Sequence, residues 1–339
     1  MSDADPRLAL VRDWVGQLKL AATRIEPASS DASFRRYFRV FRPAGSLIVM
    51  DAPPGREDVR PYLAVSGLLQ SLGAHVPEVH EADVDRGLVL LEDLGTRQYL
   101  PELTSLARAQ SLYGAALAVL ADIQAHGAQA ARQLPPYDRE VLQREMALMP
   151  EWFCTRHLGL ELSPTERGTL AQAAEVLIES ALAQPQVFVH RDYHSRNLMI
   201  TAERSPGIID FQDALRGPLG YDLASLLKDC YIGWPRPQVE EWVRGFGGLL
   251  RERGFDTDAA ELLTGFDLIG VQRHLKVLGI FARLWYRDGK PGYLKDLPLT
   301  LQYVTDACAR HPRLADLGRF LQLRAVPELA RANARVLGA

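Results

Sequence analysis

The chain has 339 residues, 47% of them hydrophobic, which is enough to bury a sizeable core and long enough for two lobes or domains. Its formal charge of -3, with acidic and basic residues mixed along the whole length, leaves no electrostatic footprint for nucleic acid or an anionic membrane surface, so the expected partner is small or neutral. The three cysteines, Cys154, Cys230 and Cys308, lie too far apart for a disulfide framework or a local metal motif and read as buried free thiols.

The N-terminus, Met1 to Leu10, carries charges instead of an apolar signal region, and no apolar run approaches membrane-spanning length, which predicts a cytoplasmic protein. Leu8, Val11, Val15 and Leu18 recur at helical spacing and predict an amphipathic helix over Pro6 to Leu20. Arg36 to Phe41 and Leu47 to Met50 read as strands separated by a Pro43-Ala44-Gly45 turn, and a helix is expected from Asp58 to Leu72, ending at Gly73. Val76 to Val79 and Gly87 to Leu91 resemble two further strands, giving a small first lobe with a mixed sheet.

Long helical patterns then dominate, at Leu106 to Gln124, Asp138 to His157, Thr165 to Leu182, Gln238 to Arg253 and Ala259 to Arg287, with an exposed surface helix over Arg319 to Val336. A strand-rich insert interrupts them at Val187 to Phe211. The expected architecture is therefore α+β: a first lobe over 1–94, a linker over 95–104 and a mainly helical second lobe over 105–339.

The chemistry concentrates in the insert. Val187-Phe188-Val189 is a buried-strand signal that runs into the polar loop His190-Arg191-Asp192-Tyr193-His194-Ser195-Arg196-Asn197, followed by apolar Leu198-Met199-Ile200. Thirteen residues after Asn197, the apolar pair Ile208-Ile209 delivers Asp210, ahead of Phe211. Phosphoryl transfer needs a carboxylate that orients the attacking hydroxyl and accepts its proton, and oxygen ligands for a Mg²⁺ that bridges nucleotide phosphates. Asp192 fits the first task; Asn197 and Asp210 fit the second.

H-R-D-x-x-x-x-N followed by I-D-F resembles the catalytic and metal-binding loops of protein-kinase-like enzymes. His194, the short gap before Asp210 and the downstream Gly220-Tyr221-Asp222-Leu223-Ala224 resemble the aminoglycoside phosphotransferase and choline kinase group in particular. Asp31-Ala32-Ser33-Phe34-Arg35-Arg36-Tyr37-Phe38-Arg39, Met50-Asp51-Ala52-Pro53-Pro54, Leu90-Leu91-Glu92-Asp93-Leu94-Gly95 and Gln272-Arg273-His274-Leu275-Lys276-Val277-Leu278-Gly279 are similar to the anomeric sugar kinases of bacterial cell-wall recycling. That resemblance implies a two-lobed protein-kinase-like fold, ATP and Mg²⁺ as cofactors, and N-acetylmuramate and N-acetylglucosamine as substrates. It further implies an α-1-phosphate product passed to a uridylyltransferase without a stable complex.

Against the broad kinase pattern, two features of the first lobe differ. The phosphate-covering loop would fall at Ser29 to Phe34, which holds no glycine, so cradling would use the hydroxyls of Ser29, Ser30 and Ser33 or backbone N–H groups. Met50-Asp51 stands where kinases carry a phosphate-gripping lysine; Arg35, Arg36 or Arg39 could supply that charge, or could be solvated strand-face arginines. The resemblance further implies a hinge between the lobes at Leu90 to Leu94, where backbone groups near Glu92 and Asp93 could meet adenine.

His190 reads as a structural residue holding the loop. His194 is a candidate substrate contact; Asp213 could meet substrate or a second Mg²⁺, or equally be a loop cap. Asp222 reads as a helix N-cap. Arg273, His274, Lys276 and Arg283 read by periodicity as a polar solvent face, and the resemblance makes them candidate substrate contacts. Trp234, Trp285 and Tyr286 read as core or as sugar-stacking rings. Two other readings stay open: transfer to an aminoglycoside, choline or similar amine, which needs an acidic pocket, and a catalytically weak nucleotide-binding module, motivated by the missing lysine.

Overall fold

The structure, a computed structural model, describes residues 5–30 and 34–337. In chain order the first elements are α1 (Pro6–Gln17), β1 (Arg24–Ser30), β2 (Arg36–Arg42), β3 (Gly45–Asp51), α2 (Arg60–Ser71), β4 (Val79–Asp83) and β5 (Leu88–Glu92). The helices α3 (Tyr99–Glu102), α4 (Leu106–His126), α5 (Ala128–Ala131), α6 (Arg139–Met146) and α7 (Pro164–Ala183) come next, with a π-helical stretch, Met149–His157, between the last two. Then follow β6 (Gln186–Val189), β7 (Leu198–Met199), β8 (Gly207–Ile208), β9 (Leu215–Pro218), α8 (Gly220–Leu227), α9 (Arg236–Glu252) and α10 (Ala259–Tyr286). The chain ends in α11 (Leu297–Arg310), α12 (Ala315–Phe320) and α13 (Val326–Leu337). Two compact units result: one runs up to Arg108 and takes back Arg196–Asp213, the other comprises Ala109–Ser195 and the chain from Ala214 onward.

In the first unit, Asp5 starts α1 by accepting hydrogen bonds from the Arg7 and Leu8 N–H groups, with Pro6 fixing the first turn. Leu8, Val11, Trp14 and Val15 then present one apolar face to Phe38, Val40, Leu47, Val49, Leu88 and Leu90 of the sheet. Alternation along β2 puts Phe38 and Val40 on that face, between Arg36 and Arg42, and Tyr37, Arg39 and Phe41 on the other. The strand order is β1-β2-β3-β5-β4 and every pairing is antiparallel, where the sequence pattern predicts a mixed sheet; β1 to β3 form a meander and β4 and β5 a hairpin, so no pairing calls for a parallel crossover.

The strand expected at Val76 to Val79 instead starts at Val79, and β1 is a strand the periodicity does not reveal, since Pro27 and two serines dilute its alternation. Gly87 takes φ +69°, and a Cβ there would lie 1.9 Å from the Ala52 carbonyl oxygen, so only glycine permits this approach.

The second unit is built around α10, whose side chains are buried almost without interruption from Leu262 to Leu284. The helix expected over Asp138 to His157 is broken in two: α6 ends at Met146 and the chain widens into the π-helical stretch. The cause is close approach. At Gly279 of α10 a Cβ would meet the Leu148 carbonyl carbon at 2.5 Å and its oxygen at 2.6 Å. Gly279→Ala is therefore expected to destabilise the protein by about 1–3 kcal/mol through overpacking, read as a fall in melting temperature; an unchanged melting temperature would mean that the turn at Leu148 yields freely.

Candidate active site

The sequence candidates divide between the two units, and each half is built up by itself. In the second unit, β6 pairs with β9 from Gln186↔Pro218 to Val189↔Leu215 and delivers the polar loop at its end. Arg191 adopts a left-handed φ of +78°, a conformation costly for a non-glycine residue by about 1–3 kcal/mol. What holds it is Asp222, fully buried in the first turn of α8, whose carboxylate accepts the His190 N–H at 2.6 Å and the Arg191 N–H at 3.0 Å. The helix-capping role expected of Asp222 is thus corrected: α8 carries no side-chain cap, and the carboxylate points instead into the loop. Burial pushes Asp222 up to about 7, against the pull of those two N–H donors.

His190 is buried, and its Nδ1 accepts the Asp192 N–H at 3.2 Å, a loop-holding contact of the kind its position predicts. Tyr193 is buried too and donates its hydroxyl to the Ala116 carbonyl at 2.8 Å. Between these two anchored residues the Asp192 side chain is 45% exposed, with His194 Nε2 3.9 Å from its carboxylate. Burial raises the Asp192 pKa, but His194, Lys276, Arg273 and Arg191 together outweigh it and hold the carboxyl below its ordinary range. At neutral pH Asp192 is therefore an ionised acceptor, as a proton-accepting residue must be.

Arg273, His274 and Lys276 do not form a solvent face: all three are buried, because α10 is enclosed by other elements. Lys276 Nζ donates to the Tyr221 hydroxyl at 2.5 Å and lies 3.7 Å from Glu145, which also receives Arg191 at 2.5 Å, Gln272 at 3.1 Å and the Tyr137 hydroxyl. His274 Nε2 faces the Lys228 carbonyl at 2.8 Å and its ring stacks on Tyr303; burial, then Arg273, push it down to about 3, so it is neutral. Arg273 has the Cys230 thiol 3.7 Å from Nη1. Arg283 is partly buried.

Trp234 donates to the Tyr113 hydroxyl at 3.1 Å and packs edge-on against Tyr113 and Trp242, while Tyr286 is 41% exposed.

In the first unit, β7 and β8 pair at Leu198↔Ile208 and Met199↔Gly207, and the Ile209 N–H donates to the Asn197 carbonyl at 3.0 Å, extending the ladder. That register places the side chains of Asn197 and Asp210 together, 3.4 Å between Nδ2 and Oδ2, while Gln212 Nε2 holds the other Asp210 oxygen at 2.8 Å. Asp210 itself is left-handed, φ +64°. Among the described residues no group of three or more His, Cys, Asp or Glu side chains is placed to hold a metal ion. One amide and one carboxylate side by side are nonetheless a hard-oxygen donor pair, which suits Mg²⁺ because that ion keeps several waters and takes substrate phosphates as its remaining ligands.

The other first-unit candidates are placed differently. Ser33 lies outside the described residues, and Ser30 ends β1. Arg36 is committed to carboxylates, donating to Asp51 at 2.7 Å and pairing with Asp5, in a cluster that Arg7 completes on Asp51. Asp51 is fully buried and requires the charge, so Arg36 serves it whether or not it also meets a phosphate. Arg39 is likewise held, by Asp93 at 2.6 Å. The Glu92 N–H donates to the Glu78 carbonyl at 2.9 Å, so it serves the sheet; Leu94 is half-buried against Gly207; Asp213 is exposed. The motif reading misses Glu145, Gln212 and Asp229, whose roles depend on partners far away in the chain or lie outside the motif letters.

Comparison with known proteins places this geometry. Residues 24–263 match the phosphotransferase enzyme family. The chain is 46% identical over 322 residues to the N-acetylmuramate/N-acetylglucosamine kinase of Pseudomonas aeruginosa, covering 93% of this chain and 92% of that protein. It is 44% identical over 301 residues to the protein of the same name from Neisseria meningitidis serogroup B, covering 86% and 87%. Among solved structures it resembles an ADP-bound aminoglycoside phosphotransferase, with a TM-score of 0.58, 14% identity and coverage of 90% and 99%. A choline kinase of Streptococcus pneumoniae gives a TM-score of 0.59, 12% identity and coverage of 88% and 98%. These likenesses show the kinase-like fold.

Proposed function

The chain belongs to the phosphotransferase enzyme family, and from that premise we propose that it transfers the γ-phosphoryl group of ATP to the anomeric hydroxyl of N-acetylmuramate, and of N-acetylglucosamine. The product is the α-1-phosphate of peptidoglycan recycling. The observation that carries this reading is the identity of 44–46% over most of the chain to kinases named for these two sugars.

Asp192 orients the anomeric hydroxyl and accepts its proton as the oxygen attacks phosphorus and the bond to ADP breaks. Asn197 and Asp210 are the residues that would hold Mg²⁺, with Gln212 steering the carboxylate. When bound, the ion supplies neutralisation of phosphate charge. The first unit holds the nucleotide, through the stretch Ser29 to Phe34 and the hinge at Glu92 to Leu94. ATP places the reaction in the cytoplasm, and a uridylyltransferase consumes the product; in keeping with that location, no described helix is long and apolar enough to cross a membrane.

An amine acceptor is less suited to the site, since the charges that bear on Asp192 from Arg191, Arg273 and Lys276 would repel it. A binding module without catalysis has no use for an ionised Asp192 together with the Asn197–Asp210 pair. The deciding experiment incubates the protein with Mg²⁺, ATP and, separately, N-acetylmuramate, N-acetylglucosamine, kanamycin and choline, and reads products by phosphorus NMR. A sugar 1-phosphate is expected; a phosphorylated amine would refute the substrate, and ATP consumption with neither would refute the reaction.

The electrostatics make a pH prediction. Lys276 helps hold the Asp192 pKa low, so Lys276→Met, which keeps the volume and removes the charge, lets that pKa rise. The acid limb of the kcat profile is then expected to move to higher pH, with activity lost sooner on acidification; an unmoved limb would show that Arg191, Arg273 and His194 suffice.

A further inference from the structure

The polar loop is clamped at two points, and only one of them is explained by the motif. Asp222 holds its beginning at His190 and Arg191. Its end is held at Ser195, whose N–H donates to Asp229 Oδ2 at 3.1 Å and whose hydroxyl donates to the same oxygen. The second oxygen, Oδ1, accepts the Tyr231 N–H at 3.1 Å. Ser195 and Asp229 are both buried, at 0% and 1% exposure, so this carboxylate is spent on the backbone and side chain of the loop and has no role in solvation. Its negative charge bears on buried Arg273, and Arg273 in turn bears on Asp192.

The turn that Asp229 fixes also places an aromatic ring: Tyr231 meets the His194 ring edge-on, with centroids 5.7 Å apart, and lies 6.5 Å from Phe281 of α10. His194 is the residue facing the Asp192 carboxylate. After Ser195 the chain passes into the first unit, where Asn197 stands two residues on. Asp229 therefore sits behind three things at once: the end of the loop, the ring that backs His194, and the cation that bears on Asp192.

We propose that Asp229 is a positioning residue for the phosphoryl transfer, holding Ser195 and Tyr231 so that Asp192 and His194 keep their mutual placement. The proposal rests on the kinase reading above. It acts through the loop and not through the nucleotide, so it belongs to kcat and leaves the KM for ATP alone. Asp229→Asn keeps the volume but replaces one acceptor oxygen with a donor, which must then face Ser195 or Tyr231 N–H. We expect kcat to fall about 30-fold, the KM for ATP to stay within about twofold, and amide hydrogen exchange across residues 190–197 to quicken about tenfold.

Ser195→Ala removes one bond only and should lower kcat about threefold, while the double variant should be no slower than Asp229→Asn alone, because both changes open the same clamp. A kcat for Asp229→Asn within about twofold of wild type, unchanged exchange, or losses that simply multiply in the double variant would each overturn the proposal. If Asp229→Asn shows no cooperative melting, Ser195→Ala carries the test by the same split of kcat against KM and the same exchange. Wild-type protein that makes no sugar phosphate would refute the kinase reading instead, and the exchange measurement would still decide whether the clamp exists.

Discussion

Asp192→Asn is expected to lower kcat by about three orders of magnitude while leaving the KM for ATP and the melting temperature close to those of the wild type. The substitution keeps the shape of the side chain and removes one of the two properties the mechanism asks of it, the capacity to take a proton from the attacking hydroxyl. Three features make the expectation large. The side chain is 45% exposed, so it can meet a substrate; its loop is pinned by Asp222 and by its own contact with His190; and the surrounding cations keep it ionised. Steady-state kinetics with both sugars, beside a thermal melt, check it. Retention of more than about a tenth of the activity would mean that another group accepts the proton and that Asp192 serves only to orient.

Asp210→Ala is expected to cost about as much, roughly two to three orders of magnitude in kcat, and to raise the Mg²⁺ concentration needed for half-maximal rate. On the proposed assignment Asn197 and Asp210 would supply two oxygens, and no group of three or more His, Cys, Asp or Glu side chains is placed to hold a metal among the described residues, so one lost ligand would be half of that pair's share. A Mg²⁺ titration separates the cases. Recovery of rate at high Mg²⁺ would assign Asp210 to metal affinity, a low rate at saturating Mg²⁺ would assign it to placement of the phosphates as well, and an unchanged titration would refute the metal assignment. Gln212, which fixes the other Asp210 oxygen, should show the same effect in weaker form.

How much of this was legible in the sequence depended on range. The helices over Leu106–His126, Pro164–Ala183 and Ala259–Tyr286 match their periodic patterns to within a residue or two at most ends, since helical periodicity is a local property. The loop from His190 to Asn197 and the Ile209-Asp210 step were readable because a polar run flanked by apolar strands is also local. The break at Leu148 was not, because it answers to Gly279, far away in the chain. The strand β1 was not, because its hydrogen bonds are made by β2 and not by any pattern of its own.

The same division runs through the charged residues. Periodicity alone sorted Arg273, His274 and Lys276 to a solvent face, and composition alone could not tell which of Arg35, Arg36 and Arg39 was spoken for. The sequence by itself determined the architecture class, the long helices, and the candidate carboxylates and amide whose types and spacing suit phosphoryl transfer. Tertiary structure decided the partners: that Asp51 and Asp5 claim Arg36, that Glu145 receives Arg191 and lies beside Lys276, that Asp222 and Asp229 grip the two ends of one loop. The reason is physical. A secondary-structure preference is written within about one helical turn or strand, whereas a buried charge is stable only beside a partner brought to it by the fold.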